Sequence, residues 1–424
     1  MKRLRDVHDV AARNLCSGCG TCAFMAPDEI TIVDATDGRR PLPLVSINGQ
    51  SSANAEALAA CPGASLAHPS HLPSGHLAEL GDAWGPVLEI WEGYAADPEV
   101  RFAGSSGGIA TALSLHCLEE EGMYGVLHTA AREDIAYLNE TVMSRNRDDL
   151  LAASGSRYAP ASPGDGLAMI EEGPSPSVFV GKPCDVAGAA KAAALRPRLA
   201  ARLGLTIAVF CAGTPTTEGT LEAVRVLGLD PDDAETVRYR GRGWPGRFAV
   251  EDASGAERSL SYEESWGAIL QRHRQWRCMI CPDHSGEFAD VAVGDPWYRE
   301  IEPGDPGRSL VLVRTEKGRR LLHSAITAGA VSLVEVTPDL LPRSQPNLLV
   351  TRGAVGGRLT TMWMLGLPIP RFVRLPMWRS WLALDGRAKA RSTLGTAKRV
   401  VQRRLYRRRA VEALSHSRAR PHHR

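Results

Sequence analysis

The sequence predicts an α/β protein with α+β elements, built on a partly parallel sheet. Two observations carry that expectation. From "PVLEIWEGYAAD" onward, short apolar runs ("VLEIWEGYA", "GMYGVLHTA", "SVFVG", "LTIAVFC", "DVAVGD") alternate with Ala- and Leu-rich helical patterns over residues 107–121, 185–195 and 217–228. The 424 residues, 44% of them hydrophobic, are enough for two or three packed domains. Three parts are expected: a small cysteine-bearing domain over 1–80, a core over 81–345 and a basic extension over 346–424. A Pro-, Gly-, His- and Ser-rich stretch around 62–76 is the exit linker of the first part. "RSLVLVRT" and "KGRRLLHSAITAG" close the core, and beyond 345 the Pro- and Arg-rich chain is expected to leave it.

The N-terminal part is defined by Cys16, Cys19 and Cys22. Three thiolates at C-x2-C-x2-C spacing can take three corners of one cubane cluster, as in bacterial ferredoxins. Ala26-Pro27 stands where such a run carries its fourth Cys-Pro, and Ser51, Asn54 and Ala57 occupy the places of a second set. Cys61-Pro62 has the form of the remaining ligand. The segment therefore reads as a ferredoxin-like domain reduced to one 4Fe–4S cluster. Zinc is the competing assignment, because CxxC pairs also bind zinc. Two CxxC steps sharing a cysteine, with a distant Cys-Pro, favour iron–sulfur.

Of the remaining cysteines, Cys117 lies in a helical stretch and reads as a small buried hydrophobe. Cys184, Cys211, Cys278 and Cys281 form one CxxC pair and two single thiols, each single one after a strand-like run. A second four-thiolate site is the economical account. Disulfides compete with it, but "MKRLRDVHDVAARNL" has no apolar signal core, and a reducing cytosol disfavours disulfides.

Four places in the core carry chemistry. Ser105-Ser106-Gly107-Gly108 runs into a helix start, which suits a pyrophosphate; an unliganded N-cap is the alternative. Gly155-Ser156-Arg157-Tyr158 could offer Arg157 to phosphate and Tyr158 to a flat ring. Gly181-Lys182-Pro183-Cys184 delivers a thiol to a helix start, where Lys182 and the helix dipole would favour a thiolate. "AVFCAG" places Cys211 similarly, both at the carboxyl edge of a sheet. The last runs from "CMICPD" to Gly294-Asp295-Pro296-Trp297, where Asp295 is a site acid or an Asx cap. Arg238, Arg240, Arg242 and Arg247 around Trp244 form a cationic, aromatic patch or a solvated loop. His128 could donate a proton, with a satisfied surface histidine the preferred role. No acid/base triad is evident.

The ordered set "CSGCGTC…ACP", "SSGGIATAL", "GSRYAP", "VFVGKPCDVAGAAK", "AVFCAG", "YRGRGWPGRF", "CMICPD" and "ADVAVGDPW" resembles the coenzyme F-420 hydrogenase/dehydrogenase beta-subunit family, over about residues 12–300. That family includes 7-hydroxymethyl chlorophyll a reductase-like proteins. The resemblance implies an FAD-dependent iron–sulfur oxidoreductase that passes electrons between 4Fe–4S clusters and an organic substrate or a deazaflavin coenzyme. It implies flavin contacts from Ser105, Ser106, Gly107, Gly108, Arg157, Tyr158 and Trp244. Cys16, Cys19, Cys22 and Cys61 would hold one cluster, and Cys184, Cys211, Cys278 and Cys281 a second. A ferredoxin or another redox protein is the implied partner. The alternative is an electron-transfer subunit of a larger redox complex, without substrate chemistry of its own.

Charge is unevenly spread: residues 371–424 hold 16 Lys and Arg against two acids, so an acidic body carries a basic tail. The tail reads as a disordered extension, an interfacial helix for an anionic membrane, or a dock for an acidic partner or RNA. Paired Trp378 and Trp381 beside arginines place peripheral membrane contact ahead of the other binding roles; no specific nucleic acid is expected. No apolar run approaches a membrane span, so a cytoplasmic protein is expected.

Overall fold

A computed structural model describes residues 4–44, 51–70 and 74–414. The predicted linker at 62–76 and the last ten residues of the tail lie partly or wholly outside these. The strands, in chain order, are β1 (Ile30–Ala35), β2 (Gly38–Pro43), β3 (Ser65–Ala67), β4 (Glu89–Ala95), β5 (Val126–Ala131), β6 (Asn139–Ser144), β7 (Ser177–Gly181), β8 (Leu203–Val209), β9 (Ala234–Arg238), β10 (Arg247–Asp252), β11 (Glu257–Ser261), β12 (Val291–Gly294), β13 (Ser309–Val313), β14 (Val331–Glu335) and β15 (Arg371–Val373).

Eight of them form one mixed sheet in the order β14-β4-β13-β12-β8-β7-β5-β6. The block β12-β8-β7-β5 is parallel, and the strands flanking it pair antiparallel. These strands are apolar on both faces, as a covered parallel sheet requires. Val311 and Val313 face a layer containing Leu113, Leu321 and Leu322, while Leu310 and Leu312 enter a second core with Val186, Val355 and Trp276. The period of two along β13 thus feeds two cores. β9, β10 and β11 form a separate antiparallel sheet around Tyr239 and Phe248.

The N-terminal part is fastened to the sheet's second face. Its cysteine loop receives the Gly164 N–H at the Cys19 carbonyl (2.9 Å) and the Ser162 hydroxyl at the Gly18 carbonyl (2.6 Å). The Ala-rich helix Pro183–Ala193, with Pro at its first turn, packs behind it. Gly188 lets that contact form: a Cβ there would stand 3.4 Å from Cys19 Sγ and closer still to Thr21. Cys117 is fully buried, as its helical setting implied.

The extension does not leave the core. Helix Pro346–Met364 buries Leu348, Val355, Leu359 and Met362, and helix Gly386–Gln402 adds Val400. Gly353, Gly356 and Gly357 allow the short helix Met377–Leu382 to lie close across the first. Arg352 reaches the buried Glu287 carboxylate, and Arg408 reaches Asp9 at 2.8 Å. β15 pairs with β3. The expectation failed because the arginines, counted together, concealed an apolar stripe and an ion-pairing role. Trp381 is pinned to Ser392 (3.0 Å), whereas Trp378 is exposed. Among the described residues no helix is long and apolar enough to cross a membrane.

Candidate active site

The parallel strands end at one cavity of about 290 Å³, near the lower bound of small-molecule sites. Lys182 follows β7, Cys211 follows β8 and Asp295 follows β12, and all three line it. Ser309, at the start of antiparallel β13, closes the rim through a 2.9 Å hydrogen bond between its hydroxyl and that of Ser106.

The Ser105–Gly108 loop forms one wall. Ser105, Ser106 and Gly108 line the cavity; Gly107 does not. Gly107 faces the sheet, donating its N–H to Ser309 Oγ (2.9 Å) and accepting from the Ala95 N–H (2.7 Å). Gly108 takes φ +74°, and a Cβ there would come within 2.6 Å of the Val100 carbonyl oxygen. It starts helix Ile109–Glu119 with no side chain capping the first N–H groups, and Ile109, Ala110 and Thr111 line the cavity. Ser105 Oγ accepts the Ser156 N–H, joining this loop to the Gly155–Tyr158 loop.

Arg157 lines the cavity, with most of its donors committed to the protein. Its guanidinium donates to the carbonyls of Ala136 (2.6 Å) and Val237 (2.9 Å) and to the Asn139 side chain. It is a half-buried brace between the large sheet and β9. Tyr158 does face the cavity, in an aromatic wall with Trp266, their ring centroids 5.0 Å apart.

Arg240 and Asp295 form the centre of the opposite wall. Arg240 donates to both carboxylate oxygens, at 2.7 and 2.9 Å. Burial opposes the charge on Arg240, and the Asp295 carboxylate holds it ionised nevertheless. Trp244 lies behind the cavity surface: its indole N–H donates to Asp295 (2.8 Å) and its ring rests 5.2 Å from that of Trp297. Trp297, not Trp244, is the lining residue. The expected four-arginine patch is divided. Arg238 and Arg242 pair with Glu257, Arg247 turns to Ser259, and Arg240 alone enters the site.

His128 lines the cavity as a buried residue rather than a surface one, with Nε2 2.7 Å from Ser144 Oγ. Burial lowers its pKa to about 4, so the ring is neutral near pH 7. Tyr262, Trp266, Ser309 and Gln345 were not singled out from the sequence, although "YEESW" places two aromatics four residues apart.

The thiols fall into two neighbouring groups. Cys16, Cys19, Cys22 and Cys61 are all buried around one small cavity. The Gly18 N–H donates to Cys16 Sγ at 3.3 Å. Burial first, then Cys19 and Cys16, pushes Cys61 up to about 12. Cys211, Cys278 and Cys281 make up the second group: burial and then Cys278 raise Cys211 to about 12, with Cys281 adding to the effect. The Thr214 N–H donates to Cys278 Sγ at 3.3 Å. Cys184 stands between the groups, raised well above the ordinary thiol value by burial and Asp185, with both Cys211 and Cys19 contributing. The helix start and Lys182 do not win there: Lys182 lowers Cys184 but spends its charge on Asp185 at 2.6 Å.

Such thiols become thiolates only against a positive centre, and N–H groups aimed at sulfur suit an iron–sulfur cluster. Among the described residues, no group of three or more His, Cys, Asp or Glu side chains is placed to hold a metal ion. The first group rings a cavity instead.

Two family profiles match. One is described as "Coenzyme F420 hydrogenase/dehydrogenase, beta subunit N-term" and covers residues 90–167; the other describes the C terminus of the same beta subunit and covers 177–339. Together they span more than half of the chain. This chain belongs to the coenzyme F420 hydrogenase/dehydrogenase beta-subunit family. The N-terminal profile of that family contains the Ser105–Gly108 and Gly155–Tyr158 loops, and the C-terminal one contains Lys182, Cys184, Cys211, Arg240, Cys278, Cys281 and Asp295. Cys16, Cys19, Cys22, Cys61 and everything after 339 lie outside both.

The chain is 25% identical over 292 residues to a coenzyme F420 hydrogenase subunit beta of Methanococcus voltae, covering 65% of this chain and 95% of the relative. It is 25% identical over 257 residues to F420-dependent formate dehydrogenase 1 subunit beta of Methanococcus maripaludis, covering 59% of this chain and 62% of that protein. It is 22% identical over 346 residues to a coenzyme F420-dependent sulfite reductase of Methanocaldococcus jannaschii, covering 78% of this chain and 49% of that protein. A chain in the structure of the F420-reducing [NiFe] hydrogenase complex from Methanosarcina barkeri shares the fold: TM-score 0.52, 21% identity, 68% of this chain and 97% of that one. These relatives make the beta-subunit family one of redox proteins.

Proposed function

We propose that the protein is an FAD-dependent iron–sulfur oxidoreductase that moves electrons between two 4Fe–4S clusters and a flavin, and from there to or from an organic substrate or a deazaflavin coenzyme. Cys16, Cys19, Cys22 and Cys61 would hold the first cluster, and Cys184, Cys211, Cys278 and Cys281 the second. Ser105, Ser106 and the uncapped N–H groups of Ile109–Thr111 would take the anionic part of the flavin. Tyr158, Tyr262, Trp266 and Trp297 offer flat walls to its ring. A flavin exchanges both single electrons and hydride, so it joins cluster chemistry to substrate chemistry.

One observation carries this proposal: the thiols and the cavity are contiguous. Cys19 of the first group and Cys211 of the second both act on Cys184, and Cys211 also lines the cavity. The chain's own residues then have separable tasks. Lys182, paired with Asp185, keeps a positive charge beside Cys184 and Cys211. Arg240 and Asp295 fix the aromatic wall. His128 presents a neutral ring at the cavity surface.

The second reading is an electron-transfer subunit within a larger redox complex, favoured because two of the relatives are named as beta subunits. Steady-state assay of the isolated, reconstituted chain with a reduced viologen and a deazaflavin separates the two. Turnover supports the first; cluster and flavin reduction without turnover supports the second.

A further inference from the structure

The residues after 339 lie outside the family profiles, yet they are built against the second thiol group. Helix Pro346–Met364 sends Arg358 to the Met279 carbonyl, inside the Cys278–Cys281 turn. Arg403 follows helix Gly386–Gln402 and donates to the Arg274 carbonyl at 3.1 Å; Arg399 lies on that helix. Arg274 in turn donates to the Ala212 carbonyl at 3.1 Å, next to Cys211, and its charge acts on Cys278 and Cys211.

These four arginines face one another. Burial, then Arg399 and Arg274, lowers Arg358 to about 10, and Arg403 is lowered by burial and then by Arg399, Arg409 and Arg274. Among the described residues no carboxylate forms an ion pair with any of them, although the body of the protein is acidic. A fifth arginine completes the arrangement from the inner side. Arg277 is 2% exposed and donates Nη2 to the Pro62 carbonyl at 3.1 Å. Its guanidinium lies over the Phe372 ring, its Nε and Nη1 have no hydrogen-bond partner among the described residues, and its charge acts on Cys281. Arg274, Arg358, Arg399 and Arg403 are half-buried and Arg277 is buried, and holding like charges together there is costly unless a counter-charge lies among them. Of the five, Arg274 acts on Cys278 and Cys211, Arg277 acts on Cys281, and Arg358 holds the Met279 carbonyl of the same turn, while Arg399 and Arg403 act on this set from outside.

We infer that the C-terminal extension supplies a cationic cage, Arg358, Arg399 and Arg403 with Arg274 and Arg277, for an anionic thiolate-bound iron–sulfur cluster at the second site. This rests on the cluster assignment proposed above. A cluster held by four thiolates is negatively charged, and one-electron reduction adds a further negative charge. Cations nearby stabilise the reduced form more than the oxidised one, so the cage raises the reduction potential of the second cluster above what its thiolates alone would set. The first group has its own cations: Lys191 lies 2.9 Å from the Cys61 carbonyl, Arg277 reaches the Pro62 carbonyl from the other side, and Arg40 lies beside Gly18. The cage arginines are positioning residues, and their effect is on potential.

The test is a redox-poised EPR titration of the full chain, purified anaerobically, beside Arg358→Met, Arg358→Lys and the half-exposed Arg399→Gln. With iron retained at about eight per chain, one of the two cluster signals should move to lower potential in Arg358→Met, less so in Arg399→Gln, and scarcely in Arg358→Lys. Both midpoints unmoved in Arg358→Met and Arg399→Gln, with iron retained, overturns the cage and leaves the cluster assignment standing. An unaltered protein with one cluster signal and about four irons overturns the second cluster and the cage together.

Discussion

Arg240 grips Asp295 through both terminal guanidinium nitrogens and so locks the turn before β10 to the turn after β12. The pair is nearly dry, with the Arg240 side chain 2% exposed, and the Trp244 indole adds a third hydrogen bond to the same carboxylate. Removing one partner strands the other. Asp295→Ala should destabilise the protein by about 3–5 kcal/mol and reduce the flavin bound after reconstitution. Urea denaturation with flavin quantification reads both effects, and Asp295→Asn, which keeps the indole's acceptor, should be milder.

The extension is tied in by a second buried pair. Arg352 meets Glu287, whose other oxygen lies 2.7 Å from His68 Nε2. Arg352→Met preserves most of the volume and leaves Glu287 buried with the His68 imidazole and the charge of Arg314. A loss of about 3–5 kcal/mol is expected, read from the shift in denaturation midpoint. A midpoint unchanged from the parent would mean that the extension contributes little to the fold.

His128 makes stability depend on pH. Its folded pKa, about 4, lies below the ordinary 6.5 because burial disfavours the charged ring. The unfolded chain therefore takes up the proton first. Its contribution is intact above pH 6.5 and falls by about 1.4 kcal/mol per unit between 6.5 and 4. The total is about 3 kcal/mol. His128→Asn removes this dependence, so the gap between parent and variant should shift in the variant's favour as pH drops from 7 to 4.5, measured by denaturation at fixed ionic strength.

The two thiol groups should be separable. Cys61→Ser is expected to lose the iron of the first site and keep that of the second, whereas Cys211→Ser should do the reverse and also disturb the cavity it lines. Iron and sulfide analysis with EPR distinguishes these outcomes. Equal loss from both sites in each variant would contradict two independent clusters.

Much of the sheet was legible because its strands are continuous apolar runs: β7 coincides with "SVFVG", and helix Glu316–Thr327 follows "KGRRLLHSAITAG" closely. The motif loops also converge as their places at strand ends implied. The side chains within them were less legible. Arg157 and Trp244 stood in the right loops, but carbonyls of distant segments claimed the one and Asp295 the other. Tyr262 and Trp266 reach the cavity from the β11 side by tertiary packing, which no local pattern records. The extension was misjudged for a related reason. Composition sums charges, whereas Arg352 and Arg358 act one at a time against specific buried partners.

The most direct test of the central claim is anaerobic purification of the whole chain, with iron, sulfide and flavin quantified against protein and a visible spectrum recorded. About eight irons and one FAD per chain are expected, as two 4Fe–4S clusters beside a flavin require. A colourless protein that holds zinc would contradict the redox assignment of both thiol groups.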